Sequence, residues 1–383
     1  MAVVDLAAAV VFWGGLALVA YVYVGYPLTL RLWPARPLRK TAAAEPPAVT
    51  VVIAAFNERV HIEDTVRNKL AQDYPAGRLD IIVVSDGSVD GTDDIVRRIG
   101  DPRVTLLRQE PRQGKTMALN RALEVATGEI IVFSDANSTY QPDTVRRLVA
   151  AFEAPEVGYV TGQLHYLERG ETAVGSGSGA YMRYENWLRQ LESRVGSVVG
   201  VNGGVDAVRR RLYAPMRADH LPDFILPLRV VAQGARVLYV PDAVSSEYSL
   251  DAQADEYRMR VRVSLRALHA LSEMRVLLSP RFGLFAFQLL VHKWLRYLVA
   301  LPLLAVLLAN VLLAGTPGYA ALLGLQLLCY TLAGIGWASG GRVRWKPVFV
   351  PFYFCLINVA AAVAFVRFLS GERMVLWAPR KGA

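Results

Sequence analysis

Cysteine is nearly absent from this sequence: two residues in 383, Cys329 and Cys355, both inside apolar runs. That leaves no disulfide framework, and neither cysteine has zinc-site spacing. His165, His269 and His292 show no ligand spacing and are given no chemical role. No Gly-x-Gly-x-x-Gly follows a strand-like run, and Gly114-Lys115-Thr116 lacks the upstream glycine of a phosphate-binding loop. A dinucleotide enzyme and a kinase are thereby disfavoured. No motif interleaves aromatic with basic residues, so the net charge of +9 is not read as a nucleic-acid surface. It points instead to anionic lipid headgroups and a phosphorylated ligand.

Charge is also scarce at both ends. Apolar residues make up 54% of the chain and mean hydropathy is +0.30, too apolar for an ordinary soluble domain. Residues 6–30 are almost free of charge and long enough to span a bilayer. No positive stretch precedes them and no small-residue cleavage signature follows, so a retained helix (1–31) is expected. Arg31, Arg36, Arg39 and Lys40 follow it, which places the amino terminus outside and residue 31 onward in the cytoplasm, at an inner (plasma) membrane. Residues 32–48 read as a linker. Beyond 280, the knot His292-Lys293-Trp294-Leu295-Arg296-Tyr297 interrupts apolar sequence and is expected at a membrane interface (256–297, with the preceding helix). Spans are expected at about 298–314, Tyr319–Trp337 and Val348–Phe368, within 298–370, followed by a tail at 371–383. Arg342, Arg344 and Lys346 mark a cytoplasmic loop, whereas Arg373, Arg380 and Lys381 oppose an external tail and leave the last crossing open.

Between these ends, residues 49–255 alternate strand and helix. Strands are expected at Val49–Ala55, Leu79–Val84, Val104–Leu107, Glu129–Phe133, Gly158–Gly162 and Val237–Val240. Helices are expected at Glu58–Ala71, Asp90–Ile99, Lys115–Ala126, Tyr181–Arg194 and Asp255–Ser279. The alternation predicts an α/β domain, Rossmann-like, with a mostly parallel sheet, plus transmembrane helices. Three strand ends carry polar groups: Asn57-Glu58, Asp86-Gly87-Ser88 and Asp135-Ala136-Asn137. In an open α/β sheet those ends face the ligand crevice. Asp135 and Asn137, two apart on extended chain, can converge on one ion or one diphosphate. Lys115 opens a helix and can face a phosphate. Each motif also has an ordinary reading as a turn or helix cap. Tyr181, Tyr184 and Trp187 read as packing.

Val51–Glu58, Val84–Thr92, Gly114-Lys115 with Ala118-Leu119-Asn120, Phe133–Asn137, Asn202-Gly203-Gly204, Pro222-Asp223-Phe224 and His292–Arg296 occur in this order. Together they make the chain resemble membrane-bound family 2 glycosyltransferases, the group of cellulose and hyaluronan synthases. The resemblance implies a GT-A fold, a nucleotide-sugar donor (a UDP-sugar) and Mg²⁺ or Mn²⁺. It implies that Asn57, Glu58 and Asp86 hold base and ribose. Lys115 and Asp135 would face the diphosphate, Asp135 and Asn137 the metal. Asp223 would be the catalytic base of an inverting transfer. Ser85, Asn137 and Pro222 depart from the pattern, and no Gln-x-x-Arg-Trp is present. Arg258, Arg260, Arg262 and Arg266 stand in its place, for the diphosphate (Arg262) or for anionic lipid. Trp377-Ala378-Pro379-Arg380 is faintly similar to a synthase gating segment. An exopolysaccharide or other polymer is the expected product, with single transfer to a membrane lipid and a non-catalytic nucleotide-sugar-binding protein as alternatives. The oligomeric state is left open.

Overall fold

The computed structural model describes residues 2–39, 41, 45–167, 173–248, 253–343 and 345–375. Lys40, Arg344, Trp377–Arg380 and Lys381 lie outside the described residues. Helix α1 (Ala2–Ala20) passes through a π-helical turn at Tyr21–Gly25 into α2 (Tyr26–Leu32). The chain then enters a sheet at β1 (Val49–Ala55). Its sequence Val-Thr-Val-Val-Ile-Ala-Ala is β-prone and every residue is buried, as a strand covered on both faces requires. The units that follow are α3 (Ile62–Leu70), β2 (Leu79–Asp86), α4 (Thr92–Ile99), β3 (Val104–Gln109), α5 (Lys115–Leu123) and β4 (Ile130–Asp135). β1 pairs in parallel with β2 and β4, and β2 with β3. Ala54 is level with Asp135 and Ala55 with Ser85, so the polar strand ends line one edge.

The second half departs from expectation. β5 (Thr139–Tyr140), α6 (Thr144–Ala150), β6 (Val157–Leu167), α7 (Ala173–Val195), β7 (Asp206–Arg209), α8 (Pro222–Ala232), β8 (Arg236–Tyr248) and α9 (Gln253–Glu273) complete it. The sheet order is β3-β2-β1-β4-β7-β6-β8-β5. β7 runs antiparallel to both β4 and β6, and β5 antiparallel to β8. β6 pairs in parallel with β8, so the sheet is mostly parallel as expected, made mixed by the short antiparallel strands β7 and β5. Four-residue β7 and two-residue β5 are too short to show a period in sequence. α7 begins eight residues before the expected Tyr181, through a Gly/Ser-rich stretch that reads locally as loop. A Cβ on Gly177 would sit 2.7 Å from both Phe349 and Tyr353, so close packing against another helix explains the small residue.

The carboxyl-terminal third is helical: α10 (Leu284–Leu289), a π-helical turn at Leu290–Leu295, α11 (Ala300–Leu313), α12 (Pro317–Ala338) and α13 (Lys346–Leu369). Val4–Leu32, α12 and α13 are long and apolar enough to cross a membrane, and Leu284–Leu295 with α11 forms a pair bent by 60°. α11 alone rises only about 21 Å, short of a bilayer core of about 30 Å. Exposed leucines along α11 and α12, such as Leu304, Leu308, Leu325 and Leu328, fit a lipid surround.

His292 is buried, and its Nδ1 lies 2.7 Å from the Glu192 carboxylate of α7. The Tyr26 hydroxyl donates to the same carboxylate at 2.6 Å, and the Val199 amide at 3.0 Å. Arg194 donates to the Leu30 and Trp33 carbonyls, closing the end of α2. Burial alone would raise Glu192, but the His292 charge and these hydrogen bonds hold it below its usual range. Glu192 thus clamps the amino-terminal helix and the knot to the sheet domain. Glu192→Ala leaves His292 and Tyr26 buried without their partner, and should cost on the order of 3–5 kcal/mol. A thermal midpoint in detergent equal to wild type would show that this junction does not depend on it.

Candidate functional site

The crevice is built from the loops after β1, β2 and β4. Asn57 adopts φ 55, a left-handed conformation that Asn tolerates. Its amide donates to Ser88 Oγ at 3.1 Å and its Oδ1 accepts from the Val89 amide at 2.9 Å, stitching the first loop to the second. The Glu58 amide donates to Thr92 Oγ1 at 3.0 Å. Asp86, fully buried, accepts from Gln109 Nε2 at 2.6 Å and from the Gln113 and Gly114 amides at 2.8 Å. Both its oxygens are therefore engaged in shaping the turn that opens α5. That turn delivers Lys115, whose ammonium pairs with Asp135.

Around Lys115 three carboxylates gather: Asp135 at the end of β4, Asp206 at the start of β7, and Asp223 in the first turn of α8. Burial would lower Lys115, but the charges of Asp135, Asp223 and Asp206 hold its pKa above the ordinary lysine value. Asp206 is pushed up to about 8, chiefly by burial. The Tyr159 hydroxyl that donates to it acts against the rise, whereas Asp223 and Asp135 add to it. Its other oxygen has no hydrogen-bond partner among the described residues.

The loop between α7 and β7 explains how the acids approach so closely. A Cβ on Gly203 would stand 2.6 Å from Asp223 Oδ2, and one on Gly204 3.0 Å from Asp135 Oδ2 and 3.1 Å from Glu247 Oε1. Gly204 also has φ +85. Helix α3 holds the loop after β4 from the other side. Thr65 donates to the Ala136 carbonyl at 2.7 Å, Lys69 to the Ser138 carbonyl, and Asn68 exchanges bonds with the Tyr140 backbone. Burial pulls the Lys69 ammonium down to about 7, against Glu247 and Asp135.

Of the residues singled out in sequence, Lys115, Asp135 and Asp223 share one electrostatic neighbourhood. Asn137 lies two residues beyond Asp135, half-buried in the turn before β5. Asp86 stands behind Lys115, linked through Gly114, while Asn57 and Glu58 sit on the β1 loop. The four arginines of α9 do not form one face. Arg258 pairs with Asp255 at the surface, Arg260 with Glu256 and Tyr353, and buried Arg266 with the carbonyls of Asp219 and His220. Arg266 feels the charges of Asp223 and of half-buried Arg262 one turn earlier on α9. Sequence reasoning missed Asp206, Glu247 and Lys69. A lone acid inside the apolar stretch Val205–Val208 was the available signal for the first; nothing local marks the other two.

Among the described residues no three His, Cys, Asp or Glu side chains form a ready-made metal cage. The donors present are hard oxygens: Asp135, Asn137, and Glu247 across Gly204. That set suits Mg²⁺ or Mn²⁺ held jointly by one or two carboxylates and a ligand's phosphates.

Residues 50–214 match the family described as Glycosyl transferase family 2. An N-acetylglucosaminyltransferase of Rhizobium meliloti (strain 1021) is 31% identical over 257 residues, 60% of this chain and 59% of that protein. A beta-monoglucosyldiacylglycerol synthase of Trichormus variabilis (strain ATCC 29413 / PCC 7937) is 28% identical over 169 residues, 43% of this chain and 36% of that protein. The chain thus spans between about a third and three-fifths of these relatives. The solved mannosyltransferase PcManGT from Pyrobaculum calidifontis, in complex with GDP-Man and Mn²⁺, shares the fold at a TM-score of 0.72. Its identity is 24%, and the match covers 97% of this chain and 99% of that one. Residues 50–214 thus carry a family 2 glycosyltransferase domain, its fold is that of GT-A glycosyltransferase structures, and it is joined to apolar helices long enough to cross a membrane.

Proposed function

We propose that this protein transfers a sugar from a nucleotide-sugar donor to a membrane-delivered acceptor hydroxyl, with inversion at the anomeric carbon. The carrying observation is the convergence of Lys115, Asp135 and Asp223 about the Gly203-Gly204 turn at the strand ends. Lys115 and Asp135 meet the donor diphosphate, Arg262 approaches it from α9, and Asn57, Glu58 and Asp86 organise the nucleoside end. Asp135 and Asn137 would hold Mg²⁺ or Mn²⁺, which neutralises charge on the departing diphosphate. Asp223 takes the proton from the acceptor hydroxyl as that oxygen bonds to the anomeric carbon. The bond from that carbon to the diphosphate oxygen breaks, and the nucleotide leaves with the electron pair. Asp206 is the other acid near this position. It is fully enclosed and, with its pKa near 8, largely protonated at neutral pH, which favours half-buried Asp223 as the base.

The donor is read as a UDP-sugar from sequence, and the structural neighbour's GDP-Man makes a panel of both nucleotides the direct measurement. Transfer of one sugar to a lipid is supported by a relative named for a glucosyldiacylglycerol product. Polymer synthesis is the reading carried by the likeness of the helices after 281 to synthases. Sizing the labelled product separates them: a ladder for a polymer, one lipid-linked sugar for single transfer. We place the catalytic domain on the cytoplasmic face.

Asp223→Asn should lower transfer by about 10²-fold or more while leaving donor affinity by calorimetry unchanged; substantial turnover in that variant removes Asp223 from the role. Asp135→Ala should abolish the increase in donor affinity on adding Mn²⁺, and chelation should produce the same loss in wild type. An Asp135→Ala protein that still responds to Mn²⁺ places the metal elsewhere. Folded Asp206 keeps a proton that the unfolded chain releases near pH 3.9. Its contribution to stability is therefore present at low pH and lost as pH rises towards about 8. Asp206→Asn should flatten the thermal midpoint across about pH 5 to 8 relative to wild type. An unaltered slope would mean that Asp206 ionises normally.

A further inference from the structure

A second charged cavity lies where the amino-terminal helix, α7, α9, the His-Lys-Trp-Leu-Arg turn and α13 meet. It encloses about 90 Å³ and is lined by Tyr23, Tyr181, Arg260, Lys293, Arg296 and Asn358 among others. Two of its walls, Tyr23 and Asn358, belong to helices long and apolar enough to cross a membrane. Its chemistry is cationic over aromatic. Arg260 lies 4.5 Å above the Tyr181 ring, and Arg296 lies 5.3–5.4 Å from the rings of Tyr23, Tyr181 and Tyr184.

Most charges here have partners. Arg296 pairs with Glu185 at 2.6 Å, Arg260 with Glu256 at 2.8 Å, and His292 with Glu192 at 2.7 Å. Arg189 donates to the Gly200 carbonyl and stands 4.0 Å from Glu185. Before His292 is counted, Arg189, Arg260, Lys293 and Arg296 face Glu185, Glu192 and Glu256, an excess of one positive charge. Lys293 carries it. Among the described residues its ammonium makes no hydrogen bond or ion pair, and it lies 5.7 Å from the Phe224 ring. A Cβ on Gly200 would meet Lys293 Nζ at 2.6 Å, so the backbone leaves room for this ammonium. A cation enclosed in this way is costly unless an anion completes it.

The place of Lys293 relative to the transfer site fixes what the anion would be part of. Phe224 follows Asp223 directly, and the loop that touches Lys293 at Gly200 touches Asp223 at Gly203. We propose that the Lys293 cavity, with Arg260 and Arg296, binds the phosphate of an anionic lipid whose tails lie along the amino-terminal helix and α13. That lipid is the acceptor, and a hydroxyl elsewhere on its headgroup reaches Asp223. This rests on the transfer reading above and narrows its acceptor to a phosphate-bearing lipid.

The test measures binding apart from turnover, on the full chain in detergent, with short-chain phosphatidic acid as probe and the matching diacylglycerol and inorganic phosphate as controls. Wild type should bind phosphatidic acid. Lys293→Gln should weaken it about tenfold, the scale of one charge-assisted hydrogen bond, and Lys293→Arg should restore most of it. Nucleotide-sugar affinity should not change in either variant, which also shows that the Gln protein is folded. Equal binding of phosphatidic acid by wild type and Lys293→Gln overturns the proposal. Diacylglycerol binding as tightly as phosphatidic acid removes the phosphate from it, and inorganic phosphate binding as tightly removes the lipid. Asp223→Asn should bind phosphatidic acid as wild type does while losing transfer. Turnover by Asp223→Asn would sink the base assignment alone, and unaltered lipid binding by Lys293→Gln would sink the cavity alone.

Discussion

Asp135, Asp206 and Asp223 repel one another inside a poorly solvated crevice, and the Lys115 ammonium set among them lets them stay together. The arrangement is tuned by unequal burial. Asp206, closed off beneath Tyr159, is held protonated near neutrality chiefly by burial, with repulsion from Asp223 and Asp135 adding to it. Asp135 keeps its place through its ion pair with Lys115. A divalent cation and a diphosphate arriving together would bring their own charges into this balance.

That charge cluster depends on backbone more than on side-chain packing. Both oxygens of Asp86 accept hydrogen bonds from the 109–114 turn, which holds the start of α5 and Lys115 in place. Gly203 and Gly204 bring main chain against Asp223 and against Asp135 and Glu247, where any β-carbon would push the acids apart. Helix α3 fixes the loop after β4 at every second residue through Thr65, Lys69 and Asn68.

The apolar helices are joined to this site by buried charge. Glu192 collects Tyr26 and His292, and Glu185 collects Arg296 and Arg189, so the amino-terminal helix and the knot after α10 are fastened to α7. Polar groups removed from water must be paired, and in meeting that need the junction also brings Lys293 to the back of the loop that holds Asp223.

Local pattern was enough to determine β1 to β4 with their helices, the apolar segments near both ends, and the candidates Lys115 and Asp135, because each is written in a continuous run whose period or turn chemistry is self-contained; Asp223 was singled out only by the family resemblance. The mixed sheet was not legible: β7 has four residues, and its antiparallel placement between β4 and β6 is a choice among partners far apart in sequence. Nor was the Gly/Ser opening of α7, whose helical state depends on Phe349 and Tyr353 closing over Gly177. Glu247 and Lys69 lie 178 residues apart by their numbering and meet only through the loop after β4. His292 reads as an interfacial residue until Glu192, 100 positions away, supplies a buried partner. Sequence determined which residues could carry charge to a strand end. Only the tertiary structure decided which charges face one another, because electrostatic energy depends on distance through space and on how much water is excluded.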